Sequence, residues 1–266
     1  MKTSCAIRPI LAISLAAACH WAQAQAFDAV RLFGTPTGDG EGSVGAAVIA
    51  GHQYMGSDER RTIVLPVLDY RWKNGWFAGT TNGVGYLFDS APNVQYGVRL
   101  TADLGRDEGR STVLAGMGDI SARPEVGAFF NYLPTREVFL TSSLRYGTGN
   151  DRKGLQFDLG AGYAVQLTPQ WRTAVGVAAT LVNREMMQEF FGVTAAQAVS
   201  SAKAPYTPGA GLRDVRANAS LNYFITPAWT LTGALTVSAL HGDAKDSPLV
   251  RERTSTNGVL ALSYRF

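Results

Sequence analysis

Phe157-Asp158-Leu159-Gly160-Ala161-Gly162-Tyr163-Ala164-Val165-Gln166-Leu167 alternates large apolar residues with small or polar ones without a break. Successive side chains of a β-strand point to opposite faces, so this stretch is a strand with one apolar and one polar face. The same pattern recurs from Val94 to Leu104 and from Val215 to Ile225. Further runs start near Val44, Val64, Trp76, Val126, Val138, Trp171 and Trp229, and the last ends through Leu260, Leu262, Tyr264 and Phe266.

A soluble sandwich also alternates, but its strands are usually ~5–6 residues long. Many of these runs reach about 9–11 residues, which is what a tilted strand needs to cross a bilayer. Their polar faces carry Gly, Ala, Ser, Thr and Asn with isolated charges, as a crowded wet lumen would. Trp171 and Trp229 follow the similar turns Thr168-Pro169-Gln170 and Thr226-Pro227-Ala228, where an aromatic girdle belongs. Only a closed barrel leaves no unpaired strand backbone in lipid. The expected fold is therefore all-β: a transmembrane antiparallel barrel in contact with outer-membrane lipid.

Composition agrees. Charged residues make up 17% of the 266, and the 29 glycines exceed the usual ~7%. A mean hydropathy of −0.01 excludes a polytopic helical membrane protein, and 46% hydrophobic residues exclude a disordered chain. Lys+Arg number 24 against 21 Asp+Glu, without the basic excess a nucleic-acid partner demands.

Lys2 and Arg8, the apolar run Ile10–Ala18, and alternating Ala22, Ala24 and Ala26 read as a Sec signal peptide over residues 1–24, cleaved after Ala24 or Ala26. Both cysteines, Cys5 and Cys19, lie in it. Residues 27–42 would be a periplasmic lead-in and 43–266 the barrel of an outer-membrane protein in a Gram-negative bacterium. Counting back from Phe266 gives outer loops at 242–253, 183–211 and 148–153, with turns at 226–228, 168–170 and 133–136. About eleven candidate strands emerge. Both ends must be periplasmic, so the number must be even: 12 strands, with 10 as the alternative. The fault lies between Phe27 and Phe88 or within 105–122. Loop 183–211 holds short helical stretches around Glu185–Phe191 and Thr194–Ser201. It could constrict the lumen, seal it as a cap, or present an adhesive surface.

By parity Arg71, Arg99, Arg145, Arg172, Arg216 and Arg265 point inward, with Asp69, Asp103, Glu125, Asp158 and Asp214. In an open barrel they would set ion preference; in a closed one they would pair across the interior. Their signs nearly balance, so strong ion selectivity is not expected. His52 with Ser57 and Asp58 could form a rim hydrolase triad only if the imidazole reaches both partners; a polar strand end is the simpler reading. Gly40, Gly42 and Gly45 match a dinucleotide fingerprint, but they precede a strand rather than open a helix. The two histidines beyond the leader, His52 and His241, lack metal-ligand spacing. No cofactor, metal or catalytic residue is expected.

Glu189-Phe190-Phe191-Gly192-Val193-Thr194-Ala195-Ala196-Gln197-Ala198, followed by Ser201 and Tyr206, resembles a motif of the MipA/OmpV family. Asp246-Ser247-Pro248-Leu249-Val250, Tyr54-Met55-Gly56-Ser57-Asp58 and Leu65-Pro66-Val67 resemble it too, as does the end Leu262-Ser263-Tyr264-Arg265-Phe266. The family usually shows paired tyrosines where this chain has Phe190-Phe191, and Glu where Gln197 stands. The resemblance implies a non-enzymatic outer-membrane barrel that scaffolds a lytic transglycosylase and a bifunctional murein synthase. A porin-like diffusion channel and a surface adhesin are the alternatives. Leu262, Tyr264 and Phe266 resemble the C-terminal signal read by the barrel-insertion machinery.

Overall fold

The computed structural model describes residues 39–88, 91 and 93–266. The expected signal peptide, both cleavage positions and most of the lead-in lie outside them. Twelve strands close into one antiparallel barrel, each paired with its sequence neighbours and the first with the last. They are β1 (Gly40–His52), β2 (Arg60–Trp72), β3 (Trp76–Gly79), β4 (Gly83–Leu87), β5 (Val94–Asp103) and β6 (Arg123–Tyr132), then β7 (Val138–Thr148), β8 (Gly154–Gln166), β9 (Trp171–Val182), β10 (Gly211–Phe224), β11 (Trp229–Leu240) and β12 (Thr254–Arg265).

The strand missing from the sequence count sits in the first third of the chain. The run near Trp76 is two strands, β3 and β4, of 4 and 5 residues. Gly83, at φ +75°, turns the chain between them, and a side chain there would run into the Leu100 carbonyl. The segment 105–122 is a loop with two short 3₁₀ turns, not a strand. β1 begins at Gly40, three residues before the expected start. Closure extends that far because Gly42 and Phe266 exchange both backbone hydrogen bonds, at 3.0 Å each.

The turns 73–75, 133–137, 167–170 and 225–228 lie at one end of the barrel and the loops 53–59, 104–122, 149–153, 183–210 and 241–253 at the other, with the short β3–β4 turn 80–82 directed toward the loop end as well. Outward positions form an apolar belt, with Val98, Leu100, Val126, Leu144, Val175, Val177, Leu235 and Leu260 all exposed. Aromatics ring its turn end: Trp76 packs on Tyr86, Trp171 on Tyr223 and Trp229 on Tyr264. Leu262, Tyr264 and Phe266 belong to this outer face.

Inside, large rings are fitted against glycines. Phe77, Phe129 and Phe139 are buried, and a Cβ on Gly85, Gly97 or Gly162 of the adjoining strand would strike each ring in turn. Phe77 and Phe129 meet edge to face at 6.0 Å. The abundant glycine is thus partly a packing requirement of the lumen. A second interior patch, on β12, β1 and β2, is aliphatic: Ala47, Ile49 and Ala261 buried, with Ile63, Leu65, Val67 and Val259 against them.

Candidate functional site

Toward the loop end, on the other side of the lumen, guanidinium and carboxylate groups form a continuous network. Arg145 on β7 bonds Asp158 on β8 at 2.9 Å and Glu125 on β6 at 3.5 Å. Arg216 on β10 bonds Asp158 at 2.9 Å and Asp214 at 3.3 Å, and Asp214 also receives Arg213 at 2.7 Å. Neutral donors complete the carboxylates: Thr101 and Thr148 reach Glu125, while Thr180 and Gln156 reach Asp158. Buried ions require such paired and hydrogen-bonded surroundings, because losing water costs several kcal/mol per ion.

Of the residues expected inside, Arg145, Glu125, Asp158, Asp214 and Arg216 meet in this network. Arg99 is buried beside it and donates to the Ser143 hydroxyl at 3.0 Å. Asp103 is turned toward the loops, where its carboxylate accepts from the backbone N–H of Gly105 and Gly149. Arg71 and Arg265 stand at the turn end and share Glu41, at 3.6 and 3.4 Å. Arg172 keeps its inward parity but is exposed at that same rim. Asp69 accepts from the Thr81 hydroxyl at 3.2 Å.

Parity missed Arg213. A register shift between Leu212 and Asp214 inserts an extra residue, so both Arg213 and Asp214 are buried inside. Thr148 follows a similar shift after Tyr146 and stands beside Glu125. The glycines flanking these shifts, Gly211 and Gly147, were the available signal.

Over the network sits a cap. In loop 183–210, α1 (Arg184–Phe191) starts at Asn183, whose side chain accepts from Met186 N–H. The second helix, α2 (Ala195–Ser201), opens with a capping box between Thr194 and Gln197. Met186, Met187, Phe190 and Phe191 of α1 pack with Ile120, Val182 and Ala244 into the largest apolar cluster among the described residues. Val193 pairs with Tyr206 as an isolated bridge and packs on Met117 and Leu249, while Gly192 ends α1 with its N–H on the Gln188 carbonyl.

Three loops lock onto this cap. Arg106 donates to the Phe190 carbonyl at 2.8 Å, and Ser247 to the Phe191 carbonyl at 2.6 Å. The Tyr54 hydroxyl donates to the Leu249 carbonyl at 2.9 Å, and Gly56 accepts from Arg251 and Glu252. Tyr206 donates to the Asp243 carbonyl at 2.7 Å. The segments 54–58, 189–206 and 246–250, far apart in sequence, are therefore one assembly. Burial, reinforced by Asp58, pushes the Tyr54 phenol up to about 12. Desolvation pulls the Arg106 guanidinium below its ordinary value, opposed by the Glu189 carboxylate. Beneath the cap remains a cavity of about 110 Å³, lined by residues including His52, Tyr54, Arg106, Met186, Arg216 and Asn257.

The triad is not assembled. Both His52 ring nitrogens lack a hydrogen-bond partner among the described residues, and the Ser57 hydroxyl is engaged with the Glu59 backbone.

No curated protein sequence matches the chain. Similar solved structures include the KdgM porin, 10% identical with a TM-score of 0.44, the match covering 84% of this chain and 99% of that one. The NanC porin is 11% identical at 0.46, covering 82% and 98%. An outer membrane channel from Pseudomonas putida F1 is 12% identical at 0.47, covering 88% and 97%. Residues 44–266 match the family described as MltA-interacting protein MipA, and the chain belongs to that family.

Proposed function

We propose that the chain is a non-enzymatic outer-membrane barrel of a Gram-negative cell, exported through its Sec signal peptide, that serves as an interaction platform for murein enzymes. The observation that carries this reading is the capped lumen. The loop end is roofed by α1, and the charges beneath pair with one another instead of lining a free path. A rigid wall with short turns at the opposite end suits docking from the periplasm. That rim presents the Glu41, Arg71 and Arg265 cluster and the turns 133–137 and 167–170. The family description names an interaction with MltA. With the resemblance in sequence, this supports a lytic transglycosylase and a bifunctional murein synthase as the partners we assign. Chemical cross-linking in intact envelopes, followed by purification on the tagged chain, tests it. Both enzymes should be enriched over what an unrelated outer-membrane barrel retains; equal recovery on the two baits would sink the platform reading.

A further inference from the structure

The barrel wall is incomplete on one side. β3 reaches only as far as Gly79, opposite Asp69, and β4 starts at Gly83, one residue before its first partner Val84 opposite Leu100. Beyond that hairpin β2 continues to Arg60 and β5 to Asp103, and these two strands are not paired with each other. The space left between them has three defined borders, with the end of β5 as the fourth. Its sill is the hairpin tip, where Thr80 N–H donates to the Leu68 carbonyl at 2.8 Å. Its upper edge is loop 104–122, where the Ser111 hydroxyl donates to Glu59 at 3.1 Å. Residues 62–67 of β2 form one side, a height of roughly 20 Å at ~3.3 Å per residue.

The free edge of β2 carries a proline. Leu68 turns its N–H and C=O toward β3, so by alternation Thr62, Val64 and Pro66 turn theirs toward the opening. Pro66 has no N–H to leave unpaired, which is why proline is tolerated on such edges. β2 is also apolar on both faces. Val64, Pro66 and Leu68 face outward, exposed, while Ile63, Leu65 and Val67 join the aliphatic strip inside. A polar interior is the rule for membrane barrels, so an aliphatic strip beside a lateral opening calls for an apolar occupant. The strip lies on the inner face of the strand whose outer face, at Val64, Pro66 and Leu68, belongs to the apolar belt.

We propose that this opening is a lateral portal through which the hydrocarbon chain of a membrane lipid enters the barrel and lies along Ile49, Ile63, Leu65, Val67 and Val259. This rests on the outer-membrane placement proposed above. The cap does not obstruct such a route, which reaches the lumen from the side.

Both native cysteines lie in the signal segment, so single-cysteine variants of the chain from Phe27 onward carry one label each. A bimane fluorophore would be attached to Leu65→Cys inside the strip, to Val64→Cys on the lipid face, and to Thr236→Cys lining the cavity on β11. Each is reconstituted in vesicles of phosphatidylcholine dibrominated on one acyl chain, against unbrominated vesicles. The portal requires the Leu65→Cys label to lose fluorescence to a fraction similar to the Val64→Cys label, with the Thr236→Cys label unquenched. Quenching at Val64→Cys with none at Leu65→Cys would overturn the portal alone. No quenching at either would overturn the membrane placement with it. Quenching at Leu65→Cys only after removal of residues 27–38 would assign the strip to the chain's own segment and refute the lipid. A variant with β3 and β4 each lengthened by four residues, checked for folding by its heat-modified gel mobility, should restore the Leu65→Cys fluorescence.

Discussion

Gly162 has the Phe139 ring where its own side chain would be, so the residue scale is where this lumen is least tolerant. Gly162→Ala should cost about 1–3 kcal/mol by overpacking, read as a lower urea midpoint in detergent or vesicles. Asp158 holds two guanidiniums at once. Asp158→Leu leaves Arg145 and Arg216 each short of a partner in a buried setting, and should cost about 3 kcal/mol in the same assay. Tyr54 makes a prediction of different form. Its folded value, about 12, lies above the ordinary 10.0, so the neutral phenol is favoured in the cap. That contribution is complete below pH 10 and is lost as pH rises toward 12. Tyr54→Phe should flatten this alkaline loss while weakening the cap by about 1 kcal/mol for the missing hydrogen bond to Leu249. Most inward residues could be named from parity alone, because a strand in lipid must alternate. Arg213 and Thr148 could not, since one inserted residue reverses every side chain after it.

At the scale of the element, the cap is the part whose stability is separable from the wall. Phe191 is almost wholly buried among Met186, Met187, Ile120 and Ala244. Phe191→Ala should cost the cap about 3–5 kcal/mol while the strands remain paired. Limited proteolysis would then cut within 183–210 with circular dichroism still reporting the barrel; cutting at the wild-type rate would contradict that packing. The two helices were legible in the sequence, as stretches around Glu185–Phe191 and Thr194–Ser201 that match Arg184–Phe191 and Ala195–Ser201 to within a residue. The β3–β4 hairpin was not. Strands of 4 and 5 residues are too short to show a period, and the turn signal Asn82-Gly83 between them was not used. Neighbouring β2 hides its parity for a separate reason: Ile63 to Leu68 are all apolar, since one face meets lipid and the other the aliphatic strip.

The whole molecule is a twelve-strand barrel with three different interiors: aromatic rings set on glycines, a paired charge network, and an aliphatic strip. Closure was legible in the sequence because it follows from backbone satisfaction in lipid, and an even strand number because both ends must lie on one side; the choice of 12 over 10 rested on a count of about eleven runs. The sequence could not say which of cap, constriction or adhesive surface loop 183–210 would be. That depends on contacts between segments such as Tyr54–Leu249 and Ser247–Phe191, which no local pattern encodes. Those contacts support the proposed platform over a channel. Single-channel recording of the refolded protein in a planar bilayer, beside a general porin as positive control, tests this most directly. A capped barrel with an internally paired lumen should give no unitary steps at neutral pH; steady, reproducible steps from the intact protein would contradict it.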